Sequence, residues 1–280
     1  MSIKITVDNN FFDTFELLAE DEKQRFILAF RTKALIFYAT PELISELLGL
    51  YKTKRRDYLK KYIPYLLSML SYRLFNPWGE IVRVELEVIK KGGIFSNSAV
   101  YERLKQLLIN IVDGTESVND IESYLSFVRQ DKVAKYKQFV DNQVHHLKLF
   151  EAQNITVPKM EFEEFYQRDF VVKIRRDLIK DLLEKGDVQA TELKINKFFN
   201  NPALFPYLHA SSRVFMAIFY SHIVRNLRVD PGDSYDQYHL IYSAGVDYLI
   251  TEDKRLREFG ADVYPSPVKV IPLSELMKII

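Results

Sequence analysis

The sequence predicts an α/β fold: a central parallel sheet with intervening helices, interrupted by a large all-helical insertion. Three observations predict it. Short β-prone runs alternate with helix-periodic segments over residues 1–92, and the same alternation returns over 229–280. Between them, residues 93–228 read as helix in nearly every window, with mixed charge and no convincing strand. Strands separated by helices need crossover connections and therefore pair in parallel, which gives a layered α/β domain built from the two chain ends.

The elements follow in order. IKITV, residues 3–7, alternates apolar and polar positions and ends on Asp8-Asn9-Asn10. FFDTFELLAEDEKQRFILAF then repeats apolar residues every three or four positions, which predicts one helix. ALIFYAT, residues 34–40, is a buried strand, and Thr40-Pro41-Glu42 is a helix start with threonine as cap, proline at the first position and an acid in the first turn. That helix, PELISELLGL, carries Glu46; another runs from Arg55 to Tyr72 and is stopped by Asn76-Pro77. EIVRVELEVI, residues 80–89, alternates as a third strand and is ended by Lys90-Lys91-Gly92-Gly93. The helical block has breaks at Asp113-Gly114-Thr115, Ile155 to Pro158, Lys185-Gly186-Asp187 and Asn200-Asn201-Pro202, and no repeat period. A helix over 233–244 feeds the strand VDYLIT, 246–251; a short helix from Asp253, β-prone ADVY and VKVIPL, and a terminal helix SELMKI complete the chain.

Composition removes several function classes. The chain has 280 residues and 48% hydrophobic content, enough for a sizeable core. With no cysteine it has no disulfide, thiolate zinc site, iron–sulfur cluster or cysteine nucleophile. Lys and Arg number 39 against 38 acids, so bulk charge neither demands nor forbids a nucleic-acid partner. No apolar run reaches the ~18 residues of a membrane span and the first residues do not pattern as a signal peptide, so a cytoplasmic protein without a membrane partner is expected. There is no glycine-rich phosphate loop, no G-x-S-x-G elbow and no H-E-x-x-H helix.

What remains is a set of carboxylates: Asp8 and Asp253 at strand ends, Asp233 and Asp236 at a helix start, and Glu46 near the middle of the helix after the second strand. Ligands of parallel α/β sheets sit beyond the carboxyl ends of the strands, where Asp8 and Asp253 fall. Acids gathered without thiols suit a hard divalent cation with oxygen ligands, magnesium or manganese. Such an ion relieves their repulsion, activates water and neutralises charge on a phosphate. Thr251 can orient a carboxylate or a water; His239 lies one turn from Asp236. Structural roles compete at every position: Asp8, Asp233 and Asp253 as helix caps, Glu46 on a solvated face, His239 in a packing layer, Glu85 as an outward strand residue. Lys254, Arg255 and Arg257 beside the last acid can guide a nucleic-acid backbone, as can Arg55-Arg56 and Arg175-Arg176, or can simply be solvated. His145-His146 read as surface rather than as metal ligands; Trp78 reads as a packing anchor.

These motifs resemble the PIN-domain family of metal-dependent nucleases. ITVDNN supplies a strand ending in Asp8 with Asn10 two residues on, TPELISELL places Glu46 on the helix after the second strand, and a helix-initial Asp236 or Asp233 precedes the strand that leads to Thr251-Glu252-Asp253. The resemblance covers residues 1–90 and 229–280 and leaves the helical block outside it. It implies a three-layer α/β/α fold, Asp8, Glu46, Asp236 or Asp233, and Asp253 as catalytic metal ligands, and RNA as the substrate in preference to DNA. The same resemblance admits a silent scaffold binding RNA or protein and a toxin paired with an antitoxin; a homodimer is open on general grounds, since proteins built from helices and a sheet edge often dimerise.

Overall fold

The computed structural model describes residues 2–49, 60, 63, 64, 66, 67, 85, 86, 99–115, 123, 126, 137, 141, 144, 145, 148, 158–186, 188–227, 233–265 and 267–280; at 49, 99–105, 185 and 233–235 it describes the backbone alone. The fold is mixed α/β, mostly helical, around a four-stranded parallel sheet. In chain order the strands are β1 (Ile3–Val7), β2 (Leu35–Phe37), β3 (Tyr248–Ile250) and β4 (Val270–Ile271). The helices are α1 (Asn10–Leu17), α2 (Glu20–Arg31), α3 (Pro41–Gly49), α4 (Ala99–Asp113), α5 (Phe162–Tyr166), α6 (Asp169–Lys185), α7 (Glu192–Asn200), α8 (Pro206–Ile223), α9 (Asp233–Tyr242), α10 (Lys254–Val263) and α11 (Leu273–Ile279). Among the described residues none of these helices is long and apolar enough to cross a membrane.

The sheet order is β2-β1-β3-β4, so the two chain ends interleave. Ile5 pairs with Phe37 on one side and with Tyr248 on the other; Leu249 pairs with Val270. From β1 the chain winds one way to β2, then returns to place β3 and β4 on the opposite side. The direction of winding therefore reverses between β1 and β3, which opens a crevice at their carboxyl ends.

Side-chain alternation gives the sheet two apolar faces. Ile5, Val7, Ile250 and Ile271 join one cluster with α1, α2, α3 and α11. Leu249 and Val270 face a second cluster built by α5, α6, α8, α9 and α10. Short strands with both faces covered explain why β2 and β3 are nearly continuous apolar runs.

Four expectations are corrected. The helix expected across residues 11–30 is two helices, broken where Leu18 and Ala19 turn extended; Glu22 then accepts the Ala19 N–H at 3.2 Å and starts α2. The strand expected at 80–89 does not hold at Glu85 and Leu86, which are helical; its remaining residues lie outside the described set. Glu85 is buried rather than outward-facing: it accepts the N–H groups of Tyr207 at 2.9 Å and Leu208 at 2.8 Å and so caps α8, while Leu86 packs with Ile179, Leu183 and Phe198. Burial raises the Glu85 carboxyl from 4.5 to about 7, against the opposing pull of those two N–H groups. ADVY is no strand: α10 continues to Val263, and its Gly260 lies directly against Val270 of β4. The Arg55–Tyr72 helix falls largely outside the described residues, where 60, 63, 64, 66 and 67 are helical. Trp78, Arg55 and Arg56 also fall outside.

Candidate functional site

Asp8 is the first residue past β1, and its backbone N–H donates to Ile250 at 3.3 Å, which sets it beside Thr251 at the end of β3. This is the point where the winding reverses. Asp8 is 4% exposed and Thr251 is fully buried. The Thr251 hydroxyl donates to Asp8 Oδ2, and the same Thr251 oxygen accepts the Asp253 N–H at 3.0 Å. Asp8 Oδ1 accepts the Phe11 N–H at 3.2 Å, so the carboxylate also caps α1; Asn10 Nδ2 stands 3.5 Å from Oδ2. The cap and site readings of Asp8 are thus both present, one on each oxygen.

Burial is the largest influence on Asp8 and raises its carboxyl from 3.8 to about 6. The Thr251 hydrogen bond and the His239 charge pull it down, and Glu46 pushes it up. An acid held at such a cost to its charged form gains from any cation placed near it.

Helix α3 brings the second acid. Thr40 is buried and its hydroxyl accepts the Leu43 N–H at 3.0 Å, fixing the helix start as expected. Leu43, Ile44, Leu47 and Leu48 anchor α3 in the core and leave Glu42 and Glu46 on a neighbouring face, one turn apart. Two carboxylates at that spacing repel unless a positive group lies between them and the rest of the protein. In the sequence Glu42 reads only as the first-turn acid of a helix start; its like-charged spacing to Glu46 is the signal of a site role.

The positive group is His239. It sits on α9, is 1% exposed, and its Nε2 lies 3.5 Å from Glu46 Oε2. At that length the contact is an ion pair without well-formed hydrogen-bond geometry, and Nδ1 finds no hydrogen-bond partner. Burial alone would lower the imidazole. The Glu46 contact and the charges of Glu46, Asp8 and Glu42 outweigh it and raise the ring from 6.5 to about 9. His239 is therefore an imidazolium at neutral pH, enclosed by acids.

The other expected residues are placed as follows. Asp253 caps α10 through Oδ1, which accepts the Leu256 N–H at 3.0 Å, and reaches Asp8 only through the Thr251 hydroxyl. Asp236 is half-buried on α9, one turn before His239; the Asp233 side chain lies outside the described residues. Among the described residues, no three Asp, Glu or His side chains converge closely enough to hold a metal ion as they stand. Lys254 is exposed and 3.7 Å from Glu258. Arg255 lies over Phe259, and Arg257 donates to the Thr251 carbonyl at 3.0 Å and stands 3.8 Å from Glu252. Arg257 thus braces the end of β3. Glu252 in turn accepts the Leu273 N–H at 2.9 Å, tying that end to α11. His145 is exposed.

The donor chemistry fits a hard cation in kind: two carboxylates, one of them buried at a cost, at a sheet crevice. The His239 imidazolium already lies 3.5 Å from Glu46, so an ion entering there would share that carboxylate with the ring. No protein-family model, curated protein or solved structure matches the chain.

Proposed function

We propose that the chain is a PIN-like, three-layer α/β/α nuclease that hydrolyses phosphodiesters, RNA in preference to DNA, with magnesium or manganese as cofactor. The observation that carries the reading is the junction of Asp8 and Thr251 at the reversal point of the sheet, with Glu46 and His239 in its electrostatic reach. Oxygens of Asp8 and Glu46 would hold the ion, with Asp236 or Asp233, and Asp253, completing its surroundings. A bound ion would lower the pKa of a water and neutralise charge growing on the phosphate. The chain's own residues prepare that chemistry. Thr251 fixes the orientation of Asp8, α3 delivers Glu46, and the His239 charge keeps mutually repelling acids assembled. Lys254, whose side chain is 84% exposed, is the cation best placed to meet a phosphate from solution.

Labelled RNA incubated with the purified protein and manganese tests this reading. Cleavage by the wild type that is lost in Asp8→Asn and Glu46→Gln supports it; equal cleavage by all three proteins rejects it.

The position of His239 favours a second reading. A buried imidazolium beside Glu46 supplies the positive charge that an ion would otherwise bring, so the same fold can bind RNA or protein without cutting. On this reading RNA should be retarded in a gel-shift assay, and calorimetry with manganese should give no heat dependent on Asp8.

A further inference from the structure

The helical block holds a second charged centre, distant in chemistry from the carboxylate edge. Arg175 of α6 is 9% exposed. Its guanidinium lies 3.7 Å over the Tyr166 ring and 5.1 Å from the Phe199 centroid, and its Nη1 donates to the Tyr166 carbonyl at 3.3 Å. Its Nε is buried and has no hydrogen-bond partner. Among the described residues it forms no ion pair.

Neighbouring charges compensate it only in part: burial lowers the Arg175 pKa most, the Arg213 charge acts in the same direction, and the Glu163 charge opposes them. Glu163 is held by Arg213, and Glu192 by Arg176. Arg213 lies over the same Tyr166 ring, at 4.7 Å, and its remaining donors go to the carbonyls of Val263 and Asp262. His209, stacked on Phe198 with centroids 4.2 Å apart, is held toward its neutral form by burial, with the Arg175 charge acting in the same direction and the Phe198 carbonyl opposing. Three guanidiniums thus share two carboxylates, and the one left over is the most buried.

Aromatic faces and the Glu163 charge offset part of the cost of a buried cation, but a guanidinium with an unused donor and no ion pair of its own among the described residues still favours an anion. Its planar fork matches the oxygens of a phosphate. We propose that Arg175, flanked by Arg176 and Arg213 between α5, α6 and α7, is a binding site for a phosphate group.

The test is thermal unfolding of the full chain against increasing inorganic phosphate, with sodium chloride at equal ionic strength as reference. A nucleoside monophosphate and a short single-stranded oligonucleotide are titrated in parallel to distinguish free phosphate from a backbone. Saturable stabilisation by phosphate beyond chloride is expected in the wild type. Arg175→Met, which replaces a buried charge by an apolar chain of similar length, should fold and lose that response, and Lys180→Met, at an exposed lysine of the same helix, should keep it. Arg175→Lys keeps the charge without the fork and weakens phosphate affinity by roughly tenfold; it carries the test if Arg175→Met does not fold. A wild type that responds to phosphate and chloride alike, or an Arg175 variant that responds as the wild type does, overturns the proposal.

Discussion

Replacing His239 by glutamine gives a stability loss that depends on pH in a defined direction. The folded ring titrates at about 9 against 6.5 for an ordinary histidine. A raised folded pKa contributes stability that is fully present below 6.5 and is lost as pH rises through 9. The difference between those values, at about 1.4 kcal/mol per pH unit, makes the imidazolium worth roughly 3 kcal/mol at pH 6 and under about 1 kcal/mol at pH 9. Glutamine cannot carry the charge. Urea unfolding at both pH values should therefore show wild type and His239→Gln separated by roughly 3 kcal/mol at pH 6 and converging by pH 9. Working with the difference between the two proteins cancels the titration of lysines and tyrosines elsewhere. Parallel pH dependences in wild type and variant would refute the claim that His239 is the counter-ion of Glu46, Asp8 and Glu42.

Three further substitutions follow from the same geometry. Asp8→Asn removes a charge that burial opposes: because the folded carboxyl is raised from 3.8 to about 6, stability is lost progressively as pH rises from 3.8 through 6 and the full cost is present above that. The variant should then be more stable than the wild type by up to about 3 kcal/mol at pH 7.5 and no more stable at pH 4, as denaturant unfolding would record. Thr251→Val keeps the shape but removes the donor to Asp8 and the acceptor for the Asp253 N–H, at a cost of roughly 1–3 kcal/mol; proton NMR or urea unfolding reads it, and no loss would mean the hydroxyl is not part of the junction. Gly260→Ala brings a methyl to 2.3 Å from Val270 Cγ2 and 2.6 Å from its Cβ. With neither helix α10 nor strand β4 free to retreat, thermal unfolding should show a destabilisation of about 1–3 kcal/mol or more.

Much of the site was legible because local chemistry determined it. Asp8, Thr40 and Asp253 cap helices at the positions their residue types favour, and Thr251 follows a strand too short to carry it anywhere but the sheet edge. Pairing of the two chain ends followed from β-prone runs at both extremities, which can bury both faces only in one sheet. What escaped the sequence depended on partners far along the chain. Glu85 alternates with apolar neighbours as a strand residue would, yet its carboxylate is used by two N–H groups more than a hundred residues later. Arg175-Arg176 reads as a solvated pair, but the helix rotates Arg175 into the aromatic pocket of Tyr166 and Phe199 and leaves Arg176 at its rim, 5.8 Å from the Phe199 centroid. His239 reads either as a neighbour of Asp236 or as a residue of a packing layer; that it is buried and pairs with Glu46 needed the packing of α9 on α3.

Calorimetric titration of manganese into the wild type, Asp8→Asn and Glu46→Gln at pH 7.5 addresses the central claim most directly, since each acid is supplied by a different element and meets the other only through the fold. Saturable binding in the wild type that disappears in both variants is the predicted result. Binding of equal strength in all three proteins, or none in any, would contradict a shared cation site at the carboxyl ends of β1 and β3.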